Sequence, residues 1–389
     1  MLKMTMKFLT VFVPITLILF LVSCEKNQQK ITENEIRIGV VFSLTGDVAA
    51  YGQRSLKGVN LALDELNSSG GINGHKIKLI IEDAKSSAKD GVAAINKLIF
   101  QNKVKFIIGD ILSSTTLAMA PIAERNKVLL FAPGASNPAL TNAGDYIFRN
   151  WLSDDFDGKA LAVYAFMKKN IKSVSTLYQK TDYCLGLEDA FTKEFISMGG
   201  TVIDREAFDT EATDFRTNIT KVQRDNPEGV FISAESRQTG TILKQSFELD
   251  FKPIWFSNLT VDTPECAEIA GKNRDGVIFS TPAFDVENQA SAVVKNFVAG
   301  FTKKYNEKPD ATSGHSYDAL KILAFVMKKN GTDVESVKNG LYKLKNFPGV
   351  TGNTTFDKNG DVFKNVFIKV IKGDGPELLE TFNFAGEIH

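Results

Sequence analysis

The 389-residue sequence predicts an α/β protein of two lobes, each built on a parallel sheet, joined by a hinge. Three observations predict it. Apolar runs of strand length alternate with segments whose apolar residues recur at helical spacing. The alternation runs through four or five such units, breaks at residues 146–157, and resumes for a similar length. The junctions carry turn residues such as Gly70-Gly71 and Asn73-Gly74. Regular strand–helix alternation requires helical crossovers, hence parallel strands covered on both faces.

In order, residues 36–42 read as a buried strand, 54–66 as a helix, 76–81 as a strand and 88–100 as a helix. Strand 104–108, helix 115–125 and strand 128–131 complete the first run. The second run is helix 158–168, strand 174–178, helix 187–198, strand 202–208, helix 215–223, strand 230–232, helix 239–249, strand 253–256 and strand 276–279. Helices at 292–305 and 317–329 follow. The tail has strands at 351–356 and 366–371, with Asp357-Lys358-Asn359-Gly360 as a hairpin-like turn between them. These runs define two Rossmann-like lobes, the first spanning 36–154 and 284–350, the second 155–283 and 351–389. Ligands of open parallel sheets sit beyond the carboxyl ends of the strands, so the cleft between lobes is the expected pocket, and hinge closure would bury its occupant.

The N-terminus is separate from this pattern. Lys3 and Lys7 precede an apolar run at 8–21, too short for a membrane-spanning helix and followed at once by polar residues. It reads as a signal peptide over 1–23. Leu21-Val22-Ser23-Cys24 resembles a bacterial lipobox, which implies lipidation of Cys24, a membrane anchor and an extracytoplasmic location in the cell envelope. Residues 24–35 are polar and aperiodic, as in a tether. Cys184 and Cys266 could pair after export, or stay as buried thiols.

Composition excludes some functions. Charge is balanced at 46 basic and 46 acidic residues, without the cationic excess a nucleic-acid binder needs. Only three histidines exist, and there is no G-x-S-x-G elbow, phosphate loop or zinc spacing, so neither an enzyme nor a cofactor or metal is expected. The acid pairs Glu82-Asp83 and Asp154-Asp155 fall at loop-like positions, where solvation or capping is the expectation.

Two loops have the chemistry to grip an anion. Ser113-Ser114-Thr115-Thr116 follows a strand and opens a helix, so hydroxyls stand beside unpaired N–H groups at the positive end of a helix dipole. Plain N-capping would use the same residues. Residues 132–138, Ala-Pro-Gly-Ala-Ser-Asn-Pro, follow the next strand; Gly134 and Ala135 permit close backbone approach and Ser136 adds a donor. Tyr51 sits where it could cover such a pocket. Trp255 and Phe256 could line it or fill the core.

Gly-Val-Val-Phe-Ser-Leu-Thr-Gly-Asp-Val-Ala-Ala-Tyr-Gly at 39–52 resembles the opening of the leucine/isoleucine/valine-binding family of type I periplasmic binding proteins, the Venus-flytrap receptors. Segments 67–77, 108–116, 131–140, 178–183 and 355–361 resemble the same family in order, covering the mature chain. The resemblance implies an ABC-importer solute-binding protein, monomeric, without catalytic activity. Its ligand would be an amino acid or related small carboxylate, and its partner a membrane permease. It also implies that Ser113, Gly134, Ala135 and Ser136 hold the ligand's carboxylate, and that Tyr51 and Tyr183 are the family's two pocket tyrosines. The amine half departs from the pattern. Where the family places a tyrosine and an acid, this chain has Glu235 and Leu259. Glu235 could itself meet an ammonium, Asp262 could substitute, or the ligand could be an amine-free organic acid. A sensory binding protein that reports to a receptor, and a lipid-anchored α/β hydrolase, are the other functional readings.

Overall fold

The computed structural model describes residues 35–286, 291–373 and 375–384. The leader, Cys24 and nearly all of the tether lie outside them, as do the last five residues.

The first sheet starts with β1 (Glu35–Phe42), which leads through α1 (Ala49–Ser68) to β2 (Lys76–Asp83). Next come α2 (Ala88–Asn96), β3 (Phe106–Gly109), α3 (Ser113–Arg125), β4 (Leu129–Ala132) and β5 (Ile147–Arg149). The spatial order is β2-β1-β3-β4-β5, and every pairing is parallel. The chain crosses to the second lobe through residues 150–153. There α4 (Asp154–Val163), β6 (Ser173–Gln179), α5 (Asp182–Ser197), β7 (Thr201–Phe208), α6 (Arg216–Asp225) and β8 (Gly229–Ser233) follow. Then come α7 (Ser236–Glu248), β9 (Ile254–Ser257), α8 (Pro264–Ala270) and β10 (Ile278–Pro282). The chain returns to the first lobe with α9 (Ala292–Tyr305), α10 (Ala311–Asn330) and α11 (Val334–Tyr342), then a small hairpin of β11 (Phe347–Gly349) and β12 (Gly352–Thr354). It ends in the second sheet with β13 (Val366–Lys372) and β14 (Gly375–Phe382).

The second sheet, β14-β13-β10-β9-β8-β6-β7, amends the expectation of two parallel sheets: β13 pairs antiparallel with β10 and with β14. The tail arrives from the first lobe without a helical crossover, so nothing forces it to run parallel. The hairpin expected between 351–356 and 366–371 also resolves differently. The Asp357 carboxylate accepts the N–H groups of Asn359 (2.8 Å) and Asp361 (2.9 Å), making a tight turn, but pairing stops at the single bridge Phe356–Val362. The flanking strands join different sheets.

Strand alternation distributes the core. In the first lobe Ile38, Val40 and Phe42 face α1, α9 and α10, while Val41, Ile107 and Leu130 face α2 and α3. In the second, Phe231 and Phe256 pack toward α4 and α5, whereas Val230 and Ile232 pack toward α6 and α7. Phe256 therefore belongs to the core, and Trp255 packs half-buried against it. Cys184 and Cys266 are buried and unpaired. Among the described residues no helix is long and apolar enough to cross a membrane.

Several elements escape the periodicity argument. The strand β5 is only three residues long and includes an arginine; α11 and β14 were not expected at all. Helix α10 starts six residues before expectation. Its first turns bury polar residues, Thr312, Ser313, His315 and Ser316, which mask the apolar stripe, and Asp310 and Ser313 form a capping box at its start. Helix α1 lies against this turn so closely that a Cβ at Gly58 would sit 2.1 Å from the Ser313 carbonyl oxygen. Backbone cannot yield as a flexible side chain would. Gly58→Ala should cost about 1–3 kcal/mol of stability through overpacking, read from the denaturant midpoint at unchanged m-value.

Candidate ligand-binding site

The loops at the carboxyl ends of the strands of both sheets converge on one pocket. Tyr51 comes from α1, beyond β1; Ile111, Leu112 and Ser113 follow β3; Gly134 and Ser136 follow β4; Trp151 follows β5. From the second lobe come Tyr183 beyond β6, Glu235 after β8, and Leu259 and Thr260 after β9. Thr312, at the start of α10, completes the wall. The empty space is about 540 Å³, counting the part open to solvent. An outer vestibule shares Tyr51, Leu112, Ser113, Tyr183 and Glu235, and adds polar residues such as Ser86, Ser114, Thr181 and Gln238.

The sequence expectations are thus largely brought together in space. Tyr51, Ser113, Gly134, Ser136, Tyr183 and Glu235 line one pocket. Ala135 does not; its side chain is fully buried in the apolar cluster against α2 and α3. Asp262 is also outside the lining, close to Arg274 at 3.9 Å. Trp151, Thr260 and Thr312 were not anticipated. Trp151 packs on buried His315, ring centres 4.4 Å apart and planes tilted by 45°, at the first crossing between lobes. Nothing periodic marks that segment; a tryptophan inside a break between two α/β runs was the only available sign.

Each side chain is placed by local chemistry. The Asp83 carboxylate accepts the N–H groups of Leu44 (2.9 Å) and Lys85 (2.8 Å) and the Thr45 hydroxyl (2.6 Å), which fixes the loop ahead of Tyr51. Ser43 donates to buried Asp110 at 2.9 Å, tying the ends of β1 and β3 together. Burial pushes Asp110 up to about 6. Helix α3 begins at Ser113 with no side-chain cap on its N-terminus. Instead of capping its own helix, the Ser113 hydroxyl oxygen accepts the N–H groups of Ser136 (3.3 Å) and Asn137 (3.2 Å). With its oxygen engaged from one side, its proton is left for a pocket occupant. Gly186 lets α5 approach this loop, since a Cβ there would lie 2.6 Å from the Asn137 amide nitrogen.

Contacts also span the cleft. The Tyr51 and Ser236 hydroxyls are 2.6 Å apart, and the Asn137 amide donates to the Asp182 carbonyl.

The electrostatics are one-sided. Among the described residues lining the pocket none is cationic, yet Glu235 is one of them. Burial, with Glu265 nearby, pushes Glu235 up to about 7. Asp154 corrects an expectation: at 1% exposure it is buried, not solvated, while Asp155 is exposed. Its carboxyl is within hydrogen-bonding reach of Ser136, one of its oxygens has no partner, and burial together with Asp157 drives its pKa well upward. Asp157 is itself raised to about 7 by burial. Glu82 and Asp83 end strand β2 and not a loop, yet Asp83 caps the next loop as expected and Glu82 pairs with Lys97 at 2.8 Å.

Two α/β lobes with a polar-tipped pocket at the facing carboxyl edges define a bilobal solute receptor. The chain belongs to the periplasmic binding protein family, which residues 35–376 match. It is 29% identical over 331 residues to a Leu/Ile/Val-binding protein homologue of Brucella suis, covering 84% of this chain and 87% of that protein. Its structure is similar to a leucine-binding protein, LivK, of Thermotoga maritima: TM-score 0.85, 29% identity, 90% of this chain and 99% of that one. It is also similar to LivJ of Streptococcus pneumoniae, a branched-chain amino acid transporter substrate-binding protein solved in complex with isoleucine: TM-score 0.83, 28% identity, covering 90% and 99%.

Removing the Ser113 hydroxyl strands two buried N–H groups. Ser113→Ala should therefore cost about 1–3 kcal/mol of stability even without ligand, which urea denaturation of the unliganded protein would measure.

Proposed function

We propose that the chain is the extracytoplasmic solute-binding lipoprotein of an ABC importer, anchored through Cys24, and that it captures a small amino acid between its lobes. The lobes expected at 36–154 with 284–350, and at 155–283 with 351–389, are taken with the last crossing moved to 355–365, because β12 pairs with β11 and Phe356 and Val362 pack in the first lobe's core. The observation that carries the amino-acid reading is Glu235, an acid lining a pocket with no cationic side chain among the described residues. A half-buried carboxylate facing a pocket whose described lining holds no cation favours a ligand that brings an ammonium. The ligand's carboxylate fits the opposite side, at the Ser113 and Ser136 hydroxyls and the uncapped start of α3. Ile111, Leu112, Trp151 and Leu259 give an apolar wall suited to an aliphatic side chain. The names of the leucine- and isoleucine-binding relatives agree with this. Binding requires no chemical step; preference for the closed state suffices to present a loaded receptor to a permease.

Thermal shift against L-leucine, L-isoleucine, L-valine and simple carboxylic acids tests the reading. A cognate ligand at 100 times its Kd should add about 2.7 kcal/mol of stability. Ser113→Ala should weaken that ligand more than tenfold, because a hydrogen bond to a charged group contributes about 1.5–3 kcal/mol; calorimetry showing unchanged affinity would remove the serine from the site.

The pH dependence has a definite sign. Below about 7 Glu235 holds a proton, which an ammonium must displace. Affinity for L-leucine should therefore rise as pH increases from 5 to 8, by at most about tenfold per unit, with a proton released on binding. In Glu235→Gln affinity should drop and this component of the pH slope vanish. Tighter binding of an amine-free acid by that variant would favour the organic-acid reading.

A further inference from the structure

Arg149 ends β5 beneath the pocket loop and is 2% exposed. A guanidinium buried this completely must match all five of its N–H groups, and it does. Nε donates to Asp361 Oδ1 at 2.6 Å and one Nη2 hydrogen to Asp361 Oδ2 at 2.8 Å, a two-point fork. The other Nη2 hydrogen goes to the Thr141 hydroxyl at 2.8 Å. Nη1 donates to the carbonyls of Ser136 (2.9 Å) and Asn137 (3.0 Å). Those two residues are the ones whose N–H groups are held by Ser113. The loop is therefore gripped from both sides of its peptide units: Ser113 takes the N–H groups, Arg149 the carbonyls.

The other end of the fork is equally fixed. Thr141 donates to Asp361 Oδ2 at 2.7 Å, and the Arg149 N–H donates to the Gly360 carbonyl at 3.0 Å. Gly360 is packed so closely on β5 that a Cβ would lie 2.4 Å from the Ile147 carbonyl oxygen. Residues 355–365 carry the chain from the first lobe to β13 of the second. The same guanidinium thus joins the loop that bears Ser136 to the last crossing between lobes.

We infer that Arg149, oriented by Asp361, is a positioning residue for ligand capture: it presents residues 134–137 at the geometry the ligand requires and ties that geometry to the final interlobe crossing. This inference rests on the reading of Ser113 and Ser136 as the anchor of the ligand's anionic end. Arg149 touches no ligand. Lysine cannot replace it, because a point ammonium has three donors and no planar fork.

The test uses the full mature chain with L-leucine as probe. Arg149→Lys and Asp361→Asn should each weaken L-leucine binding at least tenfold by calorimetry, and Asp361→Glu should recover part of the loss. Thr141→Val, which removes one hydroxyl and leaves the fork, should fold in any case and weaken binding two- to fivefold. Amide hydrogen exchange on the unliganded proteins gives a readout that a merely structural role would not move: exchange at Ser136 and Asn137 should accelerate while β1 and β3 stay protected. Affinity within twofold of the parent in variants that have lost thermal stability would overturn the inference, leaving the pair as a structural clamp only. If the parent protein binds no amino acid, the ligand reading fails separately. The exchange result then decides: selective acceleration at Ser136 and Asn137 upholds the positioning role, and uniform or absent change overturns it.

Discussion

Parallel strands cannot be joined by tight turns. Each must return through a crossover, here mostly helical, before the next begins, and this constraint organises the molecule. It places helices on both faces of both sheets, and it puts every strand-to-helix loop at one edge. The two edges face each other, so the chain segments free of ladder hydrogen bonding collect in the cleft. Tyr51, Ser113, Ser136, Tyr183, Glu235 and Thr260 are far apart in sequence and share a pocket for that reason alone. Where the constraint lapses, in the tail, direction reverses: β13 and β14 need no helical return and pair antiparallel.

Inside the cleft the arrangement follows from satisfying buried polar groups. The start of α3 has no side-chain cap, the Ser113 hydroxyl is committed as an acceptor to the neighbouring loop, and Arg149 takes that loop's carbonyls. One wall therefore offers donors. The opposing acid is Glu235, whose pKa is raised by burial and by nearby Glu265. Donors at one end and an acid at the other make a dipolar site suited to a zwitterion, with no lysine or arginine among the described lining residues.

Much of this was legible beforehand. Periodicity located nearly every long helix and buried strand, and the hydroxyl run at 113–116 and the small loop at 134–136 stood out because their residue types suit a helix start and a close backbone approach. What escaped was encoded in contacts. Trp151 lies in an aperiodic segment. Asp154 looked like a loop acid but opens α4 and is buried beside Ser136. Ala135 sits within the right loop, yet its methyl group points into the apolar cluster and not the pocket. No local pattern distinguishes these outcomes, because each depends on which surface a neighbouring element covers.

The sequence by itself determined the α/β class, the two-lobed plan and the edge at which a ligand would bind. These follow from local periodicity and from the rule that parallel strands need crossovers. Tertiary structure alone decided the pairing of Arg149 with Asp361, more than two hundred positions later, the burial of Asp154, and the place of Trp151 in the wall. Hydrogen-bond satisfaction in a buried cleft is a property of assembled surfaces, and residue order carries no record of which distant donor will meet which acceptor.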